Sequence, residues 1–299
     1  MIMALTSEQI QKQLEILDMT GGHRETAVRE HVIPEQYEAY QLQCDQREMT
    51  LAFPGLNPVR VIVTTPHRKA DNAPIHVNYH GGGFIFLQNR DDDLYCAHLA
   101  AETGAVVVDV DYASSKDAPF PMAFDQSYAV TKWAYEHCEP WGCDPKRLSV
   151  GGSSAGGNLA IAVAMKAKET GDFPVCLQIL DYAATDNDMP RHDPALLRSL
   201  AFSTLYVGGE MDKLRDPYVS PYFASDEQLK GLPQTLFIAP KKCPFYQCNL
   251  ELGMRMIEQG VKVTTKAYPD CTHGFTVRLS GQWQEAQREI IQAIQAASL

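Results

Sequence analysis

Apolar and polar positions exchange rhythms in a regular order from Asp91 onward. "DDDLYCAHLAAETG" reads as a helix and "AVVVDVD" as a buried strand. "AFDQSYAVTKWAYEH" has apolar residues three and four apart, a helical spacing, and "RLSVGG" is again strand-like. Helix "AGGNLAIAVAMKAKE" and strand "VCLQILDY" follow, then strand "QTLFIAP", helix "NLELGMRMIEQG", strand "VKVTTKAY" and helix "GQWQEAQREIIQAI". Strands alternating with helices of about 10–15 residues predict an α/β architecture, a mostly parallel sheet covered on both faces. Upstream, "REMTLAF", "VRVIVTT" and "IHVNYH" are strand-like and joined by short connections, so these leading strands are expected to form an antiparallel edge.

Two segments stand outside this alternation. Residues 1–45 hold a helical stretch, "SEQIQKQLEIL", with Ser7 as N-cap, and a second from about Glu25 to Tyr40, interrupted at Pro34. Residues 183–228 interrupt the sheet after "LQILDY". Ligand sites of open α/β sheets lie beyond the carboxyl ends of the strands, so an insertion after a strand is placed to roof such a site. The expected organisation is one domain over 1–299, capped by residues 1–45 and 183–228. No repeat or low-complexity tract alters that picture.

Composition narrows the partners. The chain has 299 residues, 45% of them hydrophobic, enough for a sizeable core, and a formal net charge of -11. That charge disfavours nucleic acid and anionic membrane surfaces, both polyanionic. The N-terminus has no basic n-region and no unbroken apolar stretch, and no run of about 18 apolar residues occurs, so a soluble, cytoplasmic protein is expected. In that setting the eight cysteines are read as reduced thiols. Cys138/Cys143 and Cys243/Cys248 have four residues between them, at the edge of zinc-ligand spacing, but neither pair joins a His or Cys partner pair. No metal is expected.

The chemistry concentrates in three places. "RLSVGGSSAGGNLA" contains Gly152-Ser153-Ser154-Ala155-Gly156, a G-x-S-x-G sequence with a strand before it and a helix after. Such a turn strains the serine and projects its hydroxyl beside a helix N-terminus, whose unpaired N–H groups favour a developing oxyanion. "VNYHGGGF" ends another strand, and its successive glycines expose N–H groups that, with that of Ala155, can cradle a tetrahedral intermediate. His80 is expected to prop this loop rather than act as a base. "YPDCTHGF" places His273 after the last strand, in the chain order that a serine nucleophile and its base take in this kind of fold. His31, His67, His98, His137 and His192 lack such a setting.

With these motifs the chain resembles the hormone-sensitive lipase family of α/β-hydrolases, carboxylesterases with an HGGG motif. The likeness runs through "HGGGF" at His80, "DPKRLSVGGSSAGGNLA" around Ser154, "DPYVSP" at Asp216, "LPQTLFIA" at Leu232 and "HGF" at His273. It implies an eight-stranded sheet, a cap from the N-terminal helices and the insertion, Ser154 as nucleophile, His273 as base, and oxyanion donors at Gly82, Gly83 and Ala155. It also implies hydrolysis of short or medium acyl esters with no cofactor. Three departures qualify it: Ser153 replaces the aspartate usual before the nucleophile, "DYASSKD" replaces the usual Asp-Tyr-Arg-Leu-Ala-Pro-Glu, and the family's triad aspartate falls on Cys243. Ungapped counting from "LPQT" on one side and "EQGV" on the other gives that position.

A neutral thiol is a weak donor and a weak acceptor, a poor replacement for the acid that orients the imidazole. Three readings stay open: a working Cys243 thiolate, a substitute acid at Asp270 (or, farther off, Glu251), or no acid and a slower enzyme. A Cys243–Cys271 disulfide under oxidation is a further idea with no distance behind it. The leading expectation is a serine carboxylesterase acting on a small-molecule ester, impaired where the triad aspartate position is Cys243. The rival is a non-catalytic small-ligand-binding protein on a degenerate hydrolase fold; a peptidase or amidase is a third reading. The residues do not speak to oligomeric state, and a homodimer is what such folds commonly form.

Overall fold

The computed structural model describes residues 33–189 and 196–298, with Lys12 and Glu15. Apart from those two residues, the helix expected at "SEQIQKQLEIL" lies outside them, as do His31, His192 and the second helical stretch before Ile33. What is described of that second stretch is a single turn, Glu35–Glu38.

Eight strands form one sheet in the order β1-β2-β4-β3-β5-β6-β7-β8. They are β1 Cys44–Leu51, β2 Val59–Pro66, β3 Ala73–Tyr79, β4 Val106–Asp111, β5 Cys143–Ser153, β6 Leu177–Asp181, β7 Gln234–Pro240 and β8 Val263–Tyr268. β1, β2 and β4 pair antiparallel, and every pairing from β4 through β8 is parallel. The antiparallel edge therefore comprises the first two leading strands. The third, β3, runs parallel between β4 and β5. Burial explains the difference. Every residue of "APIHVNY" is buried, as befits a strand covered on both faces, whereas "DQRE" in β1 is exposed and suits an edge.

Six helices of ten or more residues accompany the sheet among the described residues: α1 Arg90–Thr103, α2 Met122–Glu136, α3 Ala155–Thr170, α4 Leu197–Tyr206, α5 Tyr246–Glu258 and α6 Trp283–Ala296. α1 is delimited by sequence-local signals. The Asn89 side chain accepts the Asp91 N–H at 2.8 Å, Asp92 accepts the Asn89 N–H at 3.1 Å, and Gly104 ends the helix in the left-handed region. Apolar residues of α2, α3 and α5, among them Val130, Leu159 and Leu252, share one buried cluster with the central strands; α1 and α6 contribute Leu99 and Ile290 to a second. The turns after β3, β5, β7 and β8 carry the glycine loop, Ser154, Cys243 and His273, so parallel pairing delivers all four to one rim of the sheet.

Candidate active site

Ser154 occupies the one-residue junction between β5 and α3 with φ 56° and ψ −114°. A non-glycine residue there costs on the order of 1–3 kcal/mol and persists only where its surroundings over-determine it. Three hydrogen bonds do so: the Ser154 N–H donates to the Asp181 carbonyl at 2.9 Å, and the Ser154 carbonyl accepts from Ala184 at 3.0 Å and Asn158 at 3.1 Å. Close approach completes the turn. A β-carbon on Gly156 would stand 1.7 Å from the Tyr79 carbonyl oxygen, so only glycine lets the start of α3 rest on the end of β3.

That contact sets the glycine loop beside the serine turn, since Tyr79 pairs with Gly152 and the next residues are His80 to Gly83. The Gly82 carbonyl accepts from Ile85 and Phe86 at 3.2 and 3.1 Å, while Gly82 and Gly83 take φ values of 139° and 63°. The Ala155 N–H belongs to the first turn of α3, whose donors have no intrahelical acceptor. His80 sits under the loop: its ring bonds the Gly81 carbonyl through Nδ1 at 2.8 Å and stacks on Tyr112 at 4.2 Å. The Tyr112 hydroxyl donates to the His80 carbonyl at 2.7 Å. This is a supporting role.

His273 Nε2 lies 2.9 Å from Ser154 Oγ, and its Nδ1 lies 3.1 Å from Cys243 Sγ. The ring meets Tyr182 edgewise, 4.8 Å away between centroids, and a tilted Phe245 ring at 5.8 Å. The carboxylates weighed as substitutes are elsewhere. The Asp270 side chain is 90% exposed and pairs with Lys242 at 3.4 Å. Glu251 accepts from Tyr222 at 2.7 Å and Gln247 at 2.8 Å. Neither carboxylate bonds the imidazole.

Burial pushes the Cys243 thiol up to about 12, with the nearby Cys248 and Asp181 adding to the rise and the Phe245 N–H opposing it. At neutral pH the group facing Nδ1 is therefore a thiol. All eight cysteines are free and buried. Cys248 donates to the Phe245 carbonyl at 3.2 Å, and the Cys271 sulfur lies 3.4 Å from the Gln282 nitrogen. Among the described residues no group of three His, Cys, Asp or Glu side chains could hold a metal ion.

One neighbour escaped the sequence reading. Asp181, 2% exposed, ends β6 opposite Ser153 and accepts a hydrogen bond from the Thr276 hydroxyl, while its Oδ1 has no partner. Burial raises it well above the usual carboxylate range. An acid closing an apolar run resembles an exposed strand end; the faint signal was its place at the carboxyl end of a central strand.

The chain belongs to the α/β-hydrolase fold family, whose model matches residues 76–277, and within it to the hormone-sensitive lipase type. It is 32% identical over 237 residues to carboxylesterase NlhH of Mycobacterium tuberculosis, covering 76% of this chain and 74% of that one. Human hormone-sensitive lipase is 35% identical over 106 residues, 36% of this chain and 10% of the lipase. The solved structure of a thermostable esterase from Pseudomonas putida superposes with a TM-score of 0.78 at 27% identity, covering 99% of each chain.

Proposed function

We propose that the chain is a serine carboxylester hydrolase for small esters, working through an acyl-enzyme on Ser154. The observation that carries this reading is the 2.9 Å contact between His273 Nε2 and Ser154 Oγ. His273 takes the serine proton as Oγ attacks the ester carbonyl, and the N–H groups of Gly82, Gly83 and Ala155 receive the oxyanion. Collapse expels the alcohol, which leaves with the proton held by Nε2; water then repeats the steps on the acyl-enzyme. A cap from residues 1–45 and 183–228 belongs to the same reading, supported among the described residues by α4 of the insertion packing on Ile85 and Phe86 beside the glycine loop.

The acid position limits the rate. Productive chemistry needs the imidazole proton on Nδ1, donated toward Cys243 Sγ 3.1 Å away. A thiol is a weak acceptor, and its own S–H can donate to Nδ1 instead, which puts the ring proton on Nε2 where it blocks proton removal from serine. The enzyme we propose is thus competent and slow.

The test is hydrolysis of a short-chain aryl ester, with Ser154→Ala and an organophosphonate label as controls. Turnover lost in Ser154→Ala, with label on Ser154, supports the esterase. Absence of Ser154-dependent turnover on several esters would favour a small-ligand-binding protein, and amide turnover equal to ester turnover an amidase. Short acyl groups belong to the same proposal, as do a cytoplasmic setting, consistent with eight unpaired thiols, and a homodimer, which light scattering would read. Among the described residues no helix is long and apolar enough to cross a membrane.

A further inference from the structure

Helix α4 lies in the insertion, yet one of its faces is committed to the glycine loop. Ala201, Phe202, Leu205 and Tyr206 recur at helical spacing, and each meets a residue just past the loop's start. Ala201 is fully buried in a small cluster with Ile85 and Phe86, against which Phe202 and Leu205 pack. Tyr206 stacks on Phe84 with centroids 3.6 Å apart and planes 4° from parallel. Phe202 meets Gly83 itself: a β-carbon built on that glycine would stand 2.7 Å from Cγ and Cδ2 of the ring. The same ring makes a T-shaped pair with Phe86, centroids 6.0 Å apart, and the Arg198 guanidinium covers it at 5.4 Å.

Gly83 takes a left-handed φ of 63°, which costs glycine no steric strain, and the Phe202 ring leaves no room there for a side chain. Glycine's freedom has a cost, since fixing a residue's backbone takes about 1–2 kcal/mol, and glycine has the most to lose. Gly83 has no side chain with which to anchor itself. Other residues hold the segment from the sheet side, where the Phe84 carbonyl accepts from the Ser115 N–H at 2.8 Å and the Ile85 carbonyl from the Ser114 hydroxyl at 2.8 Å. On the opposite side, the space that a side chain at 83 would fill is taken by the Phe202 ring.

We propose that Phe202 is a positioning residue for the oxyanion loop, fixing the Gly83 amide from the cap side. The inference rests on the esterase reading above for its kinetic consequence, though not for its structural one. Oxyanion donors act on charge that develops in the transition state, so a loosened Gly83 lowers kcat and leaves ground-state binding nearly intact. Removing one such donor outright lowers kcat by about 10²–10³, and a donor merely freed to wander should lose less, about 10–100-fold.

The experiment pairs kinetics with amide hydrogen exchange on the full chain, for Phe202→Ala, Phe202→Leu and Phe202→Tyr. Phe202→Ala is expected to lower kcat on a short aryl ester by about 10–100-fold with KM within about threefold. The pH midpoint of kcat/KM should stay put, because the serine–histidine pair is untouched. Phe202→Tyr, which keeps the ring, should recover most of the rate. The Ile85, Phe86 and Ser115 amides, whose acceptors are carbonyls of this loop, should exchange faster in Phe202→Ala. A raised KM at unchanged kcat, or unchanged exchange at these amides, overturns the proposal. Should Phe202→Ala fail to fold, Phe202→Leu and Phe202→Tyr carry the same comparison. If the unmodified chain proves inactive, the esterase reading falls, and exchange alone still decides whether Phe202 holds the loop.

Discussion

Replacing Cys243 by aspartate puts an ionisable oxygen acid against the Nδ1 of His273. Removing the aspartate from a serine-protease triad costs about 10⁴ in turnover, so restoring one here can return at most about that factor, roughly 5.5 kcal/mol of barrier. The structure supplies the discount. Cys243 is 5% exposed, and the burial that drives its thiol up to about 12 also opposes ionisation of a carboxyl. A charged Asp181 nearby would add repulsion. Two donors act the other way, the Phe245 N–H and the imidazole Nδ1–H, which sits 3.1 Å from the present sulfur. An aspartate here, though raised by burial, starts far below the thiol and faces these two donors, so pH 8 favours its ionised form. The expected result for Cys243→Asp is therefore a rise of about 10²–10⁴ in kcat at pH 8 on a short aryl ester, with KM little changed. A folded variant with less than about a tenfold gain would refute the reasoning, because the acid role would then already be filled.

Other consequences are open to the same assays. The unmodified enzyme should keep gaining kcat as pH rises above 9, since the better-accepting thiolate grows toward its midpoint near 12, whereas Cys243→Ala should level off once His273 is neutral. A pH–rate profile up to the alkaline limit of folding reads this directly; a shared plateau would count against any role for the sulfur. Asp270→Asn should leave kcat within about twofold, its carboxylate being exposed and paired with Lys242, and a larger loss would return Asp270 to the site. Thr276→Val removes the donor that satisfies one oxygen of buried Asp181, with an expected cost of about 1–3 kcal/mol in a urea-unfolding midpoint.

The fold was legible because its signals are local. Strand–helix alternation needs only windows of a dozen residues, and the G-x-S-x-G turn is recognisable from its own flanks. Strand order is different: nothing in "APIHVNY" says that it inserts between β4 and β5 rather than beside β2, because parallel pairing is decided by residues far along the chain. α5 begins at Tyr246, three residues before the apolar periodicity predicts, because Phe245, packed near His273, stands as its N-cap residue. At the site, the position of Cys243 came from ungapped counting, which works where a short strand–turn–helix unit leaves no room for insertions. Phe202 and Asp181 had no comparable handle. Each acquires its meaning from a neighbour at least 90 residues away, Gly83 for one and Thr276 for the other.

Eight buried thiols and no disulfide also make the chain its own reporter of opening. A thiol-reactive dye added to the native enzyme finds little to label, and each cysteine becomes visible only when the structure around it parts. Cys138 follows α2 and Cys143 opens β5, both in the cluster of the central strands, whereas Cys243, Cys248 and Cys271 share the other cluster with Phe245 and Phe275. The order in which they label, followed by mass spectrometry at graded urea concentrations, would tell whether the catalytic rim parts from the sheet early or shares the fate of its central strands.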